Sequence, residues 1–237
     1  MIDDSELRDL DPFALMDAEA ARLDAFLGGL GGAEWLEPTR CAGWRRRELL
    51  AHLAASEEYN HATLDGTVPA LIERATQAGA SGLDAFNQWG VDLRRDRTPE
   101  ELLAEWREVN GTTRRRMRER GWDGTLKTFV GDYPAGLQSL HLAIELCVHA
   151  DDMDVPLPDD ERRRRAQWQP RFARFTVREY ERAVEIQPDP QGNNRLSADG
   201  VEAMVVDDAT LVAAASARLP QDHPMPQQLR DLLKVFA

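Results

Sequence analysis

The stretch Ala135-Gly136-Leu137-Gln138-Ser139-Leu140-His141-Leu142-Ala143-Ile144-Glu145-Leu146-Cys147-Val148-His149-Ala150-Asp151-Asp152-Met153 decides how the chain is read. Leu137, Leu140, Ile144, Val148 and Met153 recur at helical spacing, and Pro156 and Pro158 stop the helix. His141, Glu145 and His149 follow one another at steps of four. A step of four turns a helix by only ~40° from the starting direction, so these side chains share a face. Asp152 returns to that face and Cys147 does not. An imidazole or carboxylate turned toward the inside of a bundle is costly unless it is paired or bound to a metal. The E-x-x-x-H spacing also occurs in salt links and among satisfied core histidines, so on its own it leaves both readings open.

Upstream, a second helix is expected from about Arg46 to about Leu64, with Leu49, Leu50, Leu53, Ala54 and Tyr59 on its buried side. His52, Ser56 and Tyr59 form one stripe, and His61 points the other way. Two imidazoles and a carboxylate from facing helices suit Zn²⁺ with an open fourth position. Ligand type alone also admits Fe²⁺ or Ni²⁺. Tyr59 is a candidate to hydrogen-bond a group held there, and equally an ordinary core tyrosine.

Around these two helices the pattern stays helical. Phe13, Leu15, Met16, Leu23, Phe26 and Leu27 predict a helix that Gly28-Gly29 ends. A connector over 66–81 carries a short helix, and another helix is expected near Leu83–Leu93. Thr98-Pro99-Glu100-Glu101 is a helix start with cap, N1 proline and capping box, leading to about Arg120. Gly121–Pro134 reads as irregular or as a hairpin. Residues 168–186 read as a helix, Pro188–Asn194 as a loop and boundary, Val201–Val206 as a short strand, and Ala209–Leu219 and Gln227–Phe236 as helices. The expected architecture is mainly α: an up-and-down four-helix bundle over 1–187 and a small, reduced α+β extension over 188–237, with no strand before Val201.

The bulk composition agrees. Of the 237 residues, 42% are hydrophobic, with Leu and Ala dominant and aromatics only 7%, which favours packed helices. The charge is 29 − 42 = −13, so the overall field repels polyanions and nucleic acid is excluded as the expected partner. Arg114-Arg115-Arg116 and Arg162–Arg165 lie among acids and read as solvated faces. No segment approaches the ~20 apolar residues of a membrane span, so no membrane partner is expected. The acidic start, Met1-Ile2-Asp3-Asp4-Ser5-Glu6, lacks signal-peptide character. With only Cys41 and Cys147, no disulfide framework is implied, and a cytoplasmic monomer or homodimer is expected.

Two signatures carry a family resemblance. Trp35-x-x-Pro38-Thr39-x-Cys41-x-Gly43-Trp44, followed by Arg47-Glu48-Leu49-Leu50-Ala51-His52-Leu53, resembles the N-terminal motif of the mycothiol-dependent maleylpyruvate isomerase family, within the DinB-like superfamily. Glu145-x-x-x-His149, with Asp152 as the trailing acid, resembles its second motif. Asp151 stands where the family usually has Trp, a departure that leaves the shape of the substrate pocket open. The resemblance implies a metal held by His52, Glu145 and His149, a thiol co-substrate (mycothiol), and isomerase or S-transferase chemistry on a small electrophile. Asp152 would orient a ligand. The segment Val201–Leu211 and Ala217-Arg218 resembles the end of the family's second domain, which implies that Arg218 binds an anionic substrate. Without the resemblance, Arg218 is a helix-terminal arginine favoured by the dipole. The rival reading is a module that binds metal or a small ligand without turning it over.

Overall fold

Four long helices dominate the first part of the chain in the computed structural model, which describes residues 3–236. They are α1 (Pro12–Leu27), α2 (Arg46–Asp65), α5 (Pro99–Arg120) and α6 (Ala135–Asp152), with the shorter α3 (Val68–Gln77) and α4 (Leu83–Asp92) between α2 and α5. α1 packs along α6, and α2 packs along α5. Leu23, Leu49, Leu50, Leu102, Trp106, Met117 and Leu140 are buried between them. This is a DinB-like bundle. Residues 1, 2 and 237, the ends of the expected domain ranges, lie outside the described residues.

Local chemistry sets the helix ends where the sequence predicts them. The Thr98 hydroxyl accepts from Glu101 N–H at 3.2 Å, and the Glu101 carboxylate accepts from Thr98 N–H at 2.8 Å. Glu48 does the same for Arg45 N–H at 3.1 Å at the start of α2. Gly66, with φ of 70°, closes α2 in the left-handed region that glycine adopts without cost. Between α5 and α6 the chain forms an antiparallel hairpin, β1 (Thr125–Thr128) and β2 (Gly131–Pro134), with Leu126 opposite Tyr133. Gly136 then starts α6 beneath Trp122, where a Cβ would come within 2.6 Å of the indole.

A buried carboxylate ties α2 to α5. Glu57 accepts from Asn60 Nδ2 at 3.0 Å and Asn110 Nδ2 at 2.7 Å, and also from the Thr113 hydroxyl. Glu57, Asn60, Asn110 and Thr113 are all buried. Three donors on one carboxylate satisfy a charge that would otherwise be expensive inside the bundle.

The chain divides into two compact units, Pro12–Val155 and the segment ending at Asp11 together with Pro156 onward. The second unit contains α7 (Asp159–Glu179), β3 (Glu185–Pro188), β4 (Asn193–Ala198), β5 (Val201–Asp207), α8 (Asp208–Ala215) and α9 (Gln227–Leu233). Its sheet is antiparallel in the order β3-β4-β5. The boundary therefore falls at Val155/Pro156, where the sequence reading places it at 187/188. The reason lies in the buried face of α7. Phe172 stacks on Phe175 and Phe236, with centroids at 5.9 and 5.8 Å. Arg174 reaches Glu6, Asn194 and Asp208.

The C-terminal region also corrects the expectation that no strand precedes Val201. The helix ends at Glu179 because Glu181 takes a φ of 50° and Arg182 N–H bonds back to the Val177 carbonyl at 3.0 Å. The chain then re-enters as β3. The expected loop Pro188–Asn194 is largely the β3–β4 turn, held by Asp189, which accepts from Gln191 and Asn193 N–H at 2.9 Å each. α8 likewise stops at Ala215, short of the expected Leu219, because Ala217 has a φ of 53° and Arg218 N–H closes on the Ala213 carbonyl at 2.7 Å.

The arginine runs are mostly paired, as their acidic surroundings suggest. Arg114 meets Asp17, Arg116 meets Asp65, Arg162 meets Asp159, and Arg164 meets Glu161. Arg165 departs from the solvated reading and is buried. No helix among the described residues is long and apolar enough to cross a membrane.

Candidate metal centre

His52 projects from α2 and Glu145 and His149 from α6, and their donor atoms all lie within 4.8 Å of one another. The Nε2 atoms of both histidines converge on the same oxygen, Glu145 Oε1, each at 3.1 Å. Donors that share one tetrahedral ion at ordinary Zn–N and Zn–O lengths stand roughly 3.3 Å apart. Two of the three edges of such a site are therefore already in place, and the donor set suits zinc, with nickel or iron also accommodated by ligand type. Ser56 is not a further donor to this group, since its hydroxyl bonds to the His52 carbonyl at 3.0 Å. His61 lies elsewhere, its Nε2 3.2 Å from the Val109 carbonyl oxygen.

The second nitrogen of His149 is held separately. Its Nδ1 is 3.1 Å from Asp152 Oδ2. A carboxylate at Nδ1 keeps the proton on that nitrogen and leaves the Nε2 lone pair for a ligand role. Asp152 is buried, so this contact is shielded from water. His52 is positioned differently. Its Nδ1 has no hydrogen-bond partner among the described residues, and its ring packs against Trp44 at 5.0 Å and against His149 at 5.0 Å. Trp44 is anchored in turn by Nε1 donating to Gln88 at 3.0 Å.

Charge follows this geometry. Burial works against ionisation of Glu145, but the positive charge of His149 and hydrogen bonds from His149 and His52 hold its carboxyl well below the usual range. Burial would likewise lower His149. The Glu145 charge and the bonds to Asp152, Cys41 and Glu145 instead raise it well above an ordinary histidine. Without metal, these contacts favour the imidazolium form of His149. Metal binding through Nε2 is expected to release about one proton from it. The release is full below the raised folded-state pKa and fades as pH climbs through it. Calorimetric titration in buffers of different ionisation enthalpy measures this, and a buffer-independent heat at pH 7 would contradict it. The lowered Glu145 pKa adds stability above about pH 4.5 that fades in acid, and the raised His149 pKa adds stability that is full below about pH 6.5. The His149 contribution is lost as pH rises through the raised value.

The other candidates fall in different places. Tyr59 stacks on Phe129 with centroids 4.5 Å apart, and its hydroxyl accepts from Phe129 N–H at 3.4 Å. Burial raises its pKa, so it is a neutral donor. His141 meets the Tyr133 hydroxyl at 3.2 Å and is not among the triad's donors. Arg218 belongs to the C-terminal unit, with Nη1 donating to the Ser216 carbonyl at 3.0 Å. One participant exceeds the sequence reading. Cys41, which the sequence shows only as part of the Trp35–Trp44 signature, donates from Sγ to Asp152 Oδ2 at 3.3 Å and lies 3.9 Å from His149 Nδ1. The cue was its place in the loop before the His52 helix, but only the docking of that loop shows the contact.

A DinB-like bundle with two histidines and a carboxylate gathered from α2 and α6 defines a class of helical protein whose donor cluster can hold a metal ion. Within that class, the sequence profile described as the mycothiol maleylpyruvate isomerase N-terminal domain matches residues 16–154, and the chain belongs to that family. Two solved structures share the fold. The crystal structure of the mycothiol-dependent maleylpyruvate isomerase is 18% identical over 91% of this chain and 92% of its own, with a TM-score of 0.62. A histidine-to-alanine mutant of that isomerase is 18% identical over 90% and 92%, with a TM-score of 0.61. No curated protein matches the sequence.

Proposed function

We propose that this chain is a thiol-dependent isomerase with a divalent ion, zinc foremost, held by His52, Glu145 and His149, and with mycothiol as the thiol. Family membership supports the thiol and the isomerase class. The observation that carries the metal is the convergence of two imidazole Nε2 atoms on one Glu145 oxygen. When bound, the ion supplies the acidity that makes a thiol nucleophilic at neutral pH.

The chain's own residues prepare that chemistry. Asp152 orients His149, and Trp44 packs against the His52 ring. Tyr59, whose oxygen already accepts from Phe129, keeps its O–H to donate to a substrate. The substrate is a small electrophilic alkene conjugated to a carbonyl or carboxylate. Its carbon forms a bond to the thiol sulfur as the C=C electrons shift to the conjugated group. Rotation about the resulting single bond and expulsion of the thiol complete a cis-to-trans isomerisation that consumes nothing. An adduct that persists makes the protein an S-transferase.

The test is to supply thiol and an activated cis-alkene acid to metal-loaded protein and follow the alkene by NMR. Isomerisation dependent on both thiol and metal is expected. Binding of either without turnover would favour the non-catalytic reading.

Arg218 is proposed to pair with the substrate carboxylate. Arg218→Ala is then expected to raise KM for an anionic substrate roughly tenfold or more, as loss of a charge-assisted contact does. Metal content should not change. Unaltered kinetics with anionic substrates would remove Arg218 from the site.

A further inference from the structure

Cys41 is held in place by its own loop rather than by the metal centre. Its N–H donates to the Thr39 hydroxyl at 3.2 Å, its carbonyl accepts from Trp44 N–H at 3.0 Å, and the Thr39 hydroxyl reaches the Trp44 carbonyl at 2.9 Å. The adjacent Arg40 N–H bonds to the backbone oxygen of Asp152 at 3.2 Å. One rigid loop therefore touches both histidines. Trp44 packs on the His52 ring, and Cys41 reaches the carboxylate that holds His149. The oxygen that accepts from Cys41, Asp152 Oδ2, is the same one that faces His149 Nδ1.

From this geometry we infer that Cys41 is a positioning residue, the outer member of a Cys41–Asp152–His149 relay that fixes how His149 presents Nε2 to the metal. The inference rests on the proposed metal centre. A thiol proton on Oδ2 pins the carboxylate's rotation and spreads its charge, so that the oxygen accepts the Nδ1 proton without removing it from the ring. Deleting a partner bonded directly to a ligand typically weakens a metal site about 10–100-fold, and Cys41, one bond further out, should matter less. Sγ, Nδ1 and Oδ2 are also close enough to hold an ion among themselves, which would make Cys41 a ligand instead.

The experiment compares Co²⁺ and Zn²⁺ affinity, by chelator competition, for the full-length wild type, Cys41→Ser, Cys41→Ala and Asp152→Ala. Tm of each metal-free protein serves as a folding control. Expected results are a three- to tenfold weaker site in Cys41→Ala and a tenfold or greater loss in Asp152→Ala. Cys41→Ser should stay within about twofold of wild type, because its hydroxyl replaces the donor. The Co²⁺ protein should show no thiolate-to-cobalt charge-transfer band, and its visible spectrum should shift in Cys41→Ala but not in Cys41→Ser. Equal affinities and spectra for Cys41→Ala and wild type would overturn the relay alone. A charge-transfer band that Cys41→Ser abolishes would overturn it in favour of a direct ligand. A Cys41→Ala protein weakened only in proportion to a lower metal-free Tm would reduce Cys41 to packing. Wild type without measurable metal affinity would overturn the metal centre and the relay together.

Discussion

Alanine at position 149 is expected to reduce bound metal from near one ion per chain to a small fraction of that, and to abolish thiol-dependent turnover. His149 Nε2 and His52 Nε2 share Glu145 Oε1 at 3.1 Å each, so the three donors form one set. Losing one of the three proposed ligands leaves two, too few to retain an ion through purification. The Asp152 carboxylate, buried and facing His149 Nδ1, would lose that partner as well. Elemental analysis of wild type and His149→Ala, purified side by side under identical metal supply, is the direct measurement. Equal metal in the two proteins would dismantle the triad. Turnover surviving in metal-poor His149→Ala would separate the thiol chemistry from the ion.

A second large effect is expected away from the centre, in Glu57→Ala. Removing this carboxylate strands the Asn60 and Asn110 amides and the Thr113 hydroxyl inside the bundle and leaves a cavity between α2 and α5. Three buried donors left without an acceptor at about 1–3 kcal/mol each sum to roughly 3–9 kcal/mol, and relaxation of the neighbours brings the expected loss to the lower part of that range, about 3–5 kcal/mol. For a chain of this size that lowers the melting temperature by roughly 10 °C. Glu57→Gln should lie between, because one amide oxygen accepts while its NH₂ group opposes the neighbouring amides. Urea and thermal unfolding of the two variants measure the difference. A loss below about 1 kcal/mol in Glu57→Ala would mean that the three donors find other acceptors. Because Glu57 lies five residues beyond His52 on α2, the variant should also weaken metal binding indirectly.

The sequence by itself determined the elements of the bundle and which residues share a face of α6. Thr98 and Glu101 cap α5 through atoms three residues apart, and Glu145 and His149 share a face because a helix turns by a fixed angle per residue. Such relations involve only near neighbours in the chain, so residue spacing suffices to read them. Family motifs then linked His52, 93 residues away from Glu145, to the same group.

Contacts between distant segments decided the rest. Nothing in the spacing of Cys41 foretells a bond to Asp152, 111 residues on, because that bond depends on how the loop before α2 docks against the end of α6. Glu57 reads as an ordinary helix glutamate until α5 brings Asn110 and Thr113 to it. The strand β3 is only four residues long, with just Ile186 partly buried, too short for a periodic signal, and it becomes a strand by pairing with β4. The grouping of α7 with the C-terminal unit follows from Phe172 meeting Phe236 and Arg174 meeting Glu6, Asn194 and Asp208. Helices announce themselves through bonds made within a few residues. Sheets, domain boundaries and the hydrogen bonds behind a ligand are made by segments that meet only after the chain has folded.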